Sequence, residues 1–335
     1  MASFSKKTLF FCGASFLLGI LAAIIFIHFW PSNKALMPFT KIRIANPAFQ
    51  LVKPLLGVDI GKKGQFTELN DLTRKYGELV NEFLADNTQG KAGVYFRDLD
   101  NAHWTGVNET EKFKPRSLLK VPLLITYLKL AETDPGLLSH QLTYRGEDLN
   151  VRENIKPSQS VKPGETFSIE ELLRRMIVFS DNNAATLLLD NLSPEIADQI
   201  YADLDLEFPE GKTAEDYLSA KQYSLFFRIL YNVTYLNPTF SEKALKWLSE
   251  SEFTDGIVAG LPADITVAHK FGERSDSASD ETPEYGLHDC GIIYYPDYPY
   301  LLCVMSRGEN QQRQKQFLKE VSSATYEEMK KIYGD

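Results

Sequence analysis

The chain is predicted to be an α+β protein: one five-stranded antiparallel sheet flanked by N- and C-terminal helices, with an inserted all-helical lobe and one N-terminal transmembrane helix. Three observations predict it. Strand-like patterns come in two groups, near residue 100 and beyond residue 264, each too small to stand alone as a sheet. Between them, from about 110 to 260, apolar residues recur at helical spacing. An amphipathic helical pattern precedes the first group and another follows the last, so both can cover the joined sheet.

The bulk numbers agree with a folded domain and exclude some functions. With 335 residues and 44% hydrophobic content the chain is too apolar for disorder and long enough for a large core. A net charge of -9 argues against nucleic acid as a partner, because phosphate binding needs basic surface. No residue pattern calls for a metal or an organic cofactor, and protein partners are not readable from the sequence.

Residues 1–30 read as an N-terminal membrane anchor. Leu9 to Trp30 is a run of 22 positions without Asp, Glu, Lys or Arg, long enough to span a bilayer as a helix. Lys6 and Lys7 precede it, which keeps the N-terminus in the cytoplasm and exports the rest. A cleaved signal peptide is the alternative. Its apolar core is usually shorter, and His28-Phe29-Trp30-Pro31 resembles an interfacial aromatic anchor more than a cleavage site. Cys12 is apolar filler within the run. Residues 31–64, with Pro31, Pro38, Pro47 and Pro54 and no sustained period, read as a juxtamembrane linker. Its patches Leu51-Val52 and Leu55-Leu56 are short enough to lie on the surface of the domain that follows.

That domain covers 65–335. From Phe66 a helix is expected, with Leu69, Leu72, Tyr76, Leu79, Val80 and Phe83 on one stripe and Gly90 after its end. Ala92–Leu99 and Asn101–Val107 read as a hairpin turning at Asp98-Leu99-Asp100-Asn101. Val121–Leu130 is apolar on nearly every side, so its helix is buried. Ser168–Leu192 is a second long helical stretch, opened by the capping box Ser168-Ile169-Glu170-Glu171. Thr213–Leu230 and Ser241–Leu248 supply further helices. Strands return at Ile265–Phe271, Leu287–Tyr295 and Tyr300–Ser306, and a helix from about 311 to 333 closes the chain with Phe317, Val321 and Met329 inward.

Cys290 and Cys303 fall on neighbouring strands. If the turn centres on Pro296-Asp297-Tyr298-Pro299 they are diagonal neighbours, and two buried free thiols are expected; a disulfide is compatible with export but not deducible from spacing. Tyr294, Tyr295, Tyr298 and Tyr300 read as hairpin packing, and Asp276, Asp280, Glu281 and Glu284 as a solvated loop.

Three short motifs carry chemistry. In Ser117-Leu118-Leu119-Lys120 the two polar residues are three apart and share a helix face. Pro122 is tolerated only in a helix's first turn, so the hydroxyl stands at a helix N-terminus. A serine is a poor nucleophile until a base takes its proton, and a lysine in an apolar setting can do so as a neutral amine. Alone, the pair also reads as a helix cap and a surface lysine. Ser180-Asp181-Asn182 interrupts an apolar helical run, which costs stability unless the polar groups are satisfied; it is either an interhelical turn or the wall of a pocket. In Lys270-Phe271-Gly272 a lysine sits late in a strand, followed by a glycine that admits close approach of a substrate or a backbone. His269 and His288 adjoin these strands and are expected to be structural.

Together the motifs, with Phe113-Lys114-Pro115-Arg116 before the first, Met176-Ile177-Val178-Phe179 before the second and Gly256–Pro262 ahead of the third, make residues 66–333 resemble a class A β-lactamase-like serine hydrolase of the penicillin-recognising, D,D-peptidase superfamily. The motif separations, 63 residues from Ser117 to Ser180 and 90 from Ser180 to Lys270, suit that family, the second being somewhat short. The resemblance implies the β-lactamase/transpeptidase-like fold, with Ser117 as acylated nucleophile and Lys120 as its base. It implies Ser180 as proton shuttle to the leaving nitrogen, Asn182 as holder of Lys120 and a substrate amide, and Lys270 as support for the shuttle and attraction for a carboxylate. Gly272 and Glu273 would border the substrate, and the backbone N–H groups of Ser117 and Glu273 would form the oxyanion hole.

Three departures stand out. No acidic residue between Asn183 and Ala220 has Asn four positions on, although Glu195, Asp203, Glu207, Glu210, Glu215 and Asp216 occur there. The family's water-activating pair is thus absent, and release of an acyl-enzyme is expected to be slow. Phe271 replaces the usual hydroxyl residue, and Glu273 puts a carboxylate near where a substrate carboxylate docks. The expected function is therefore a membrane-tethered serine hydrolase acting on β-lactams or D-alanyl peptides outside the cytoplasm. The alternative is an anchored wall-binding or sensor domain that acylates or binds without turnover.

Overall fold

The computed structural model describes residues 48–54, 69–87, 90–206, 216–275 and 285–334. The expected anchor, Cys12, most of the linker including Leu55-Leu56, Glu207, Glu210, Glu215 and the acidic stretch from Asp276 to Glu284 lie outside these residues. Among the described residues no helix is long and apolar enough to cross a membrane.

Helix α1 (Asn70–Ala85) leads into β1 (Lys91–Asp98) and β2 (Trp104–Val107). A 3-10 turn at Arg116–Leu119 runs directly into α2 (Lys120–Ala131), with Pro122 in its first turn. The lobe continues through α3 (Ile169–Val178), α4 (Asn182–Asp190), α5 (Pro194–Asp203), α6 (Ala220–Asn232) and α7 (Pro238–Ser249). The chain then returns to the sheet as β7 (Val267–Ser275), β8 (Tyr285–Ile293) and β9 (Tyr300–Gly308), and ends in α8 (Gln311–Tyr333). Three short ribbon strands in the first half of the lobe, β3 (Lys112–Phe113), β4 (Gln141–Thr143) and β5 (Thr166–Ser168), and β6 (Leu218–Ser219) before α6, pair as β3 with β6 and β4 with β5.

The main sheet has the order β2-β1-β9-β8-β7, antiparallel throughout, as predicted. Its side chains alternate between two cores. Leu301, Cys303 and Met305 of β9 face the helical lobe, whereas Leu302 and Val304 face α1 and α8. On that second side Leu72, Tyr76 and Phe83 of α1 meet Phe317, Leu318 and Val321 of α8, with Phe83 stacked on Phe317. The tyrosines near the β8–β9 connection pack on other elements and not across their own hairpin: Tyr295 meets Tyr326 and Tyr298 stacks on Tyr333, both of α8, and Tyr300 meets Phe96 of β1.

Several expectations need correction. Cys290 and Cys303 are directly opposed, with Cα atoms 4.0 Å apart, and form a disulfide. The reason is the turn. Ile293 pairs with Tyr300, so the connection centres one residue earlier than Asp297-Tyr298, and the diagonal becomes a direct pair. The stretch from Ser168 to Leu192 is two helices, not one, broken at Phe179-Ser180-Asp181. Only half of the capping box forms: Ser168 accepts the Glu171 N–H, while the Glu171 carboxylate binds Arg175. Strand β7 extends four residues past Phe271. Helix α6 starts at Ala220 rather than Thr213, capped by Ser219 and Gln222.

Part of the linker docks on the domain. Val52 is buried in the lobe core, and the backbone N–H groups of Gln50, Leu51 and Val52 all donate to the Glu242 carboxylate on α7.

Candidate active site

The three motifs meet where the helical lobe joins β7. Ser117 stands in the 3-10 turn, where Leu118 N–H closes onto the Pro115 carbonyl at 3.0 Å. Arg116 just before it has φ +57°, a left-handed conformation that non-glycine residues adopt at a cost of about 1 kcal/mol and hold only when their surroundings demand it. Strand β7 presses on this turn. A Cβ at Gly272 would lie 2.8 Å from the Pro115 carbonyl oxygen and 3.2 Å from the Leu118 nitrogen, so the close approach that the glycine admits is made by the protein's own backbone.

Lys120 follows one turn later and is buried. Its Nζ lies 3.0 Å from Ser117 Oγ, 2.6 Å from the Ser180 carbonyl oxygen, 3.1 Å from Ser180 Oγ and 2.7 Å from Asn182 Oδ1. Burial pushes its ammonium down to about 7, with the carboxylates of Glu153 and Asp181 pulling partly the other way. A neutral amine is therefore accessible near neutral pH, three ångströms from the serine hydroxyl.

Ser180 sits in the break between α3 and α4 with φ +58°, and this turn aims both its carbonyl and its hydroxyl at Lys120. The break is held from beneath. Asp181, fully buried, caps α4 by accepting from Asn183 N–H at 2.9 Å, and also accepts Asn150 Nδ2 at 2.7 Å and Val161 N–H at 2.7 Å. Such a carboxylate is satisfied without a counter-charge. Asn150 in turn accepts the Asn182 N–H at 2.9 Å, and Asn183 accepts from Tyr144 and Leu149.

Lys270, fully buried at the middle of β7, donates to Ser180 Oγ at 2.9 Å and to the Phe271 carbonyl at 3.0 Å. Burial first, and the neighbouring Lys120 second, hold its ammonium well below the ordinary lysine range. Ser117, Lys120, Ser180 and Lys270 thus form one continuous chain of hydrogen-bonding groups. Phe271 stacks on Phe253 with centroids 4.2 Å apart, and Lys270 Nζ lies 4.1 Å from the Phe271 ring centre. A 210 Å³ cavity alongside is lined by Ile155, Phe179, Glu252, Phe253 and Phe271 among others.

Glu273 does not extend toward Lys270's partners. Its carboxylate accepts the Ile155 N–H at 2.6 Å, Gln311 Nε2 at 2.8 Å and Asn154 Nδ2 at 3.4 Å. The opposite wall is the segment 149–161, which sequence reasoning passed over. It supplies Asn150 and also Glu153, whose Oε1 accepts Asn182 Nδ2 at 2.9 Å. Neither lies in a motif or a periodic run. The only signal was the need of three buried polar residues, Ser180, Asp181 and Asn183, for partners from elsewhere.

The two histidines brace the site from behind. His269 Nδ1 lies 2.8 Å from Asp289 Oδ1, and the other Asp289 oxygen accepts Ile257 N–H at 3.0 Å. His288 bridges Lys114 O and Ser306 N–H; burial pushes its imidazolium down to about 4, so it stands neutral just behind the nucleophile turn. Two described acids of the second interval are engaged elsewhere and a third is exposed. Asp203 accepts from Tyr235, Asp216 pairs with Lys91 and Arg307, and Glu195 is exposed.

This fold and cluster define a class of serine hydrolase, and comparison with known proteins supplies the family. The profile of the beta-lactamase enzyme family matches residues 75–329, and the chain belongs to that family. It is 31% identical over 214 residues to beta-lactamase L2 of Stenotrophomonas maltophilia, covering 59% of this chain and 69% of that one. It is 25% identical over 248 residues to a beta-lactamase of Proteus vulgaris, covering 69% and 78%. Among solved structures PBP-A superposes with a TM-score of 0.65 at 22% identity, covering 78% of this chain and 97% of that one. The class A beta-lactamase of Mycobacterium abscessus superposes with 0.64 at 21%, covering 76% and 98%. The chain is an enzyme of the β-lactamase-type serine hydrolases.

Proposed function

We propose that the protein is a membrane-tethered hydrolase, held by Leu9–Trp30 with its catalytic domain outside the cytoplasm, that forms an acyl-enzyme on Ser117 with β-lactams or D-alanyl peptides. The observation that carries this reading is the 3.0 Å contact between Lys120 Nζ and Ser117 Oγ, made by a lysine that burial brings down to about 7. A relative by fold points the same way: a single-site mutant of PBP-A is known as its acyl-enzyme complex with penicillin G.

The neutral Lys120 amine takes the Ser117 proton as Oγ bonds to the acyl carbon. The carbonyl oxygen gains charge, for which the backbone N–H groups of Ser117 and Glu273 are the donors. The C–N bond then breaks, and the proton passes from Lys120 through Ser180 Oγ to the leaving nitrogen, with Lys270 stabilising the intermediate alkoxide character of Ser180. Asn182 holds Lys120 in place through the 2.7 Å contact. Water completes the cycle by adding to the ester carbon and returning a proton to Ser117.

Capture without efficient release is the second reading, favoured by the lack of an acidic residue with Asn four positions on in the second interval, where Asp203 and Asp216 are bound to other partners. Intact-mass measurement of the exported domain mixed with benzylpenicillin tests both. The expected result is one equivalent added to the wild type and none to Ser117→Ala. Rapid loss of the adduct points to a hydrolase and persistence to a sensor or wall-binding role. No adduct at all with benzylpenicillin or an acyl phosphonate rejects the proposal.

A further inference from the structure

A cluster of cations stands at the edge of the sheet far from β7, where α6 packs over β1 and β2. Tyr95 and Leu99 of β1 and its turn belong to the lobe core, so strand alternation puts Arg97 between them on the same face. Trp104 of β2 is the register partner of Arg97, and its ring lies 5.8 Å from that of Tyr95. Over them α6 carries Lys221 and, two turns on, Arg228. Lys221 Nζ stands 3.9 Å from the Trp104 ring centre and 3.9 Å from a carboxylate oxygen of Glu109.

The two arginines lack a counter-charge. Burial first, and the Arg97 charge second, hold the Arg228 guanidinium below the ordinary arginine range, with Tyr95 acting the other way and no carboxylate among the causes. Among the described residues neither Arg97 nor Arg228 has an ion pair or a side-chain hydrogen bond. The chain as a whole carries a net charge of -9, and Arg74, Arg174, Arg175, Arg307 and Arg313 each meet a carboxylate. Two like charges held together and partly out of water are unfavourable, and an anion between them reverses the sign of the interaction. A carboxylate has two oxygens, enough for one planar guanidinium fork. A phosphate group has more oxygens and can accept two forks at once.

We propose that Arg97 and Arg228, with Lys221 at the rim, form a binding site for a phosphate group, separate from the acylation site and independent of its chemistry. Two sources share that chemistry: inorganic phosphate in solution and the head group of an anionic lipid. The linker makes the second relevant, because the Lys53 N–H donates to the Tyr231 carbonyl at 3.0 Å, one turn beyond Arg228 on the same helix. Chain leading from the expected anchor thus joins the domain beside the arginine pair.

Thermal unfolding of the full chain in neutral-detergent micelles makes the test. Sodium phosphate, or the short-chain lipid dihexanoylphosphatidylglycerol, is titrated in, with sodium chloride at equal ionic strength as the control. The wild type is expected to show a saturable rise in Tm with at least one of the two phosphate compounds and none with chloride. In Arg97→Gln and in Arg228→Gln the apparent Kd is expected to weaken about tenfold, the scale of one charge-assisted hydrogen bond. Either variant suffices should the other fold poorly. A response to the lipid alone assigns the site to a head group, a response to inorganic phosphate alone to the free anion, and a response to both to the phosphate group whatever carries it. No saturable rise with either compound, or an apparent Kd the same in the variants as in the wild type, overturns the inference.

Discussion

The two walls of the active site are built on opposite plans. The wall carrying Ser117, Lys120, Ser180 and Asn182 is a polar network in which nearly every contact is a hydrogen bond of 2.6–3.1 Å, footed on the buried carboxylate of Asp181. The β7 wall places its one lysine beside stacked aromatic rings, Phe271 on Phe253, and sends its next polar side chain, Glu273, across the cleft. The first wall has the parts for proton transfer, which tolerates little displacement. The second borders whatever must fit. Lys270 apart, which donates to Ser180 Oγ, the β7 wall can change without disturbing the proton path, and the departures at Phe271 and Glu273 fall on that wall alone.

If this division holds, damage to the first wall is far costlier than damage to the second. Lys120→Ala removes the base and leaves an unactivated serine, so acylation by benzylpenicillin is expected to fall about a thousandfold, read as adduct formation over time. A loss of only a few-fold would move the proton transfer away from this wall.

The same wall sets the pH dependence. Lys120 must be neutral, and its value of about 7 means that acylation rises with pH, about tenfold per unit below 7, and levels off above it. Linkage has a matching sign. The lysine's pKa is lower folded than unfolded, so between about 7 and its ordinary value of 10.5 the unfolded chain binds more protons and this group makes stability rise with pH. A rate profile flat from pH 5 to 8 would be at odds with lysine as the base.

The smallest effect belongs to the second wall. Phe271→Thr restores a hydroxyl beside Lys270 and is expected to raise acylation by the carboxylate-bearing benzylpenicillin about threefold, one modest hydrogen bond, without moving the pH midpoint. A shift of that midpoint would mean that the two walls are coupled.

Much of the fold was legible because its patterns are strong and local. The stripes of α1 and α8, and the short apolar strands between turn residues, specify one sheet with helices on one face, and the lobe's apolar runs specify the other core. The motif residues were legible one wall at a time: Ser117 and Lys120 from a one-turn spacing, Ser180 from a polar interruption. Two kinds of feature escaped. A shift in a turn's centre, invisible in Pro296-Asp297-Tyr298-Pro299, turned a diagonal cysteine pair into a disulfide. Long-range polar partners escaped as well: Asn150 and Glu153 belong to a segment without period, and their roles exist only because the fold lays that segment against α4.

By itself the sequence determined which side chains could do chemistry and how far apart along a helix they stand, since residue type and a 3.6-residue period are local properties. It also determined, through the need to satisfy Asp181 in an apolar run, that something must come to meet that turn. Only the tertiary structure decided what came, and with what result. It lowered one lysine's proton affinity by burying it, placed that lysine against a hydroxyl 60 residues away, and turned Glu273 from an expected neighbour of the substrate into a bridge between walls. Burial and cross-element distance are properties of packing, and no local pattern encodes them.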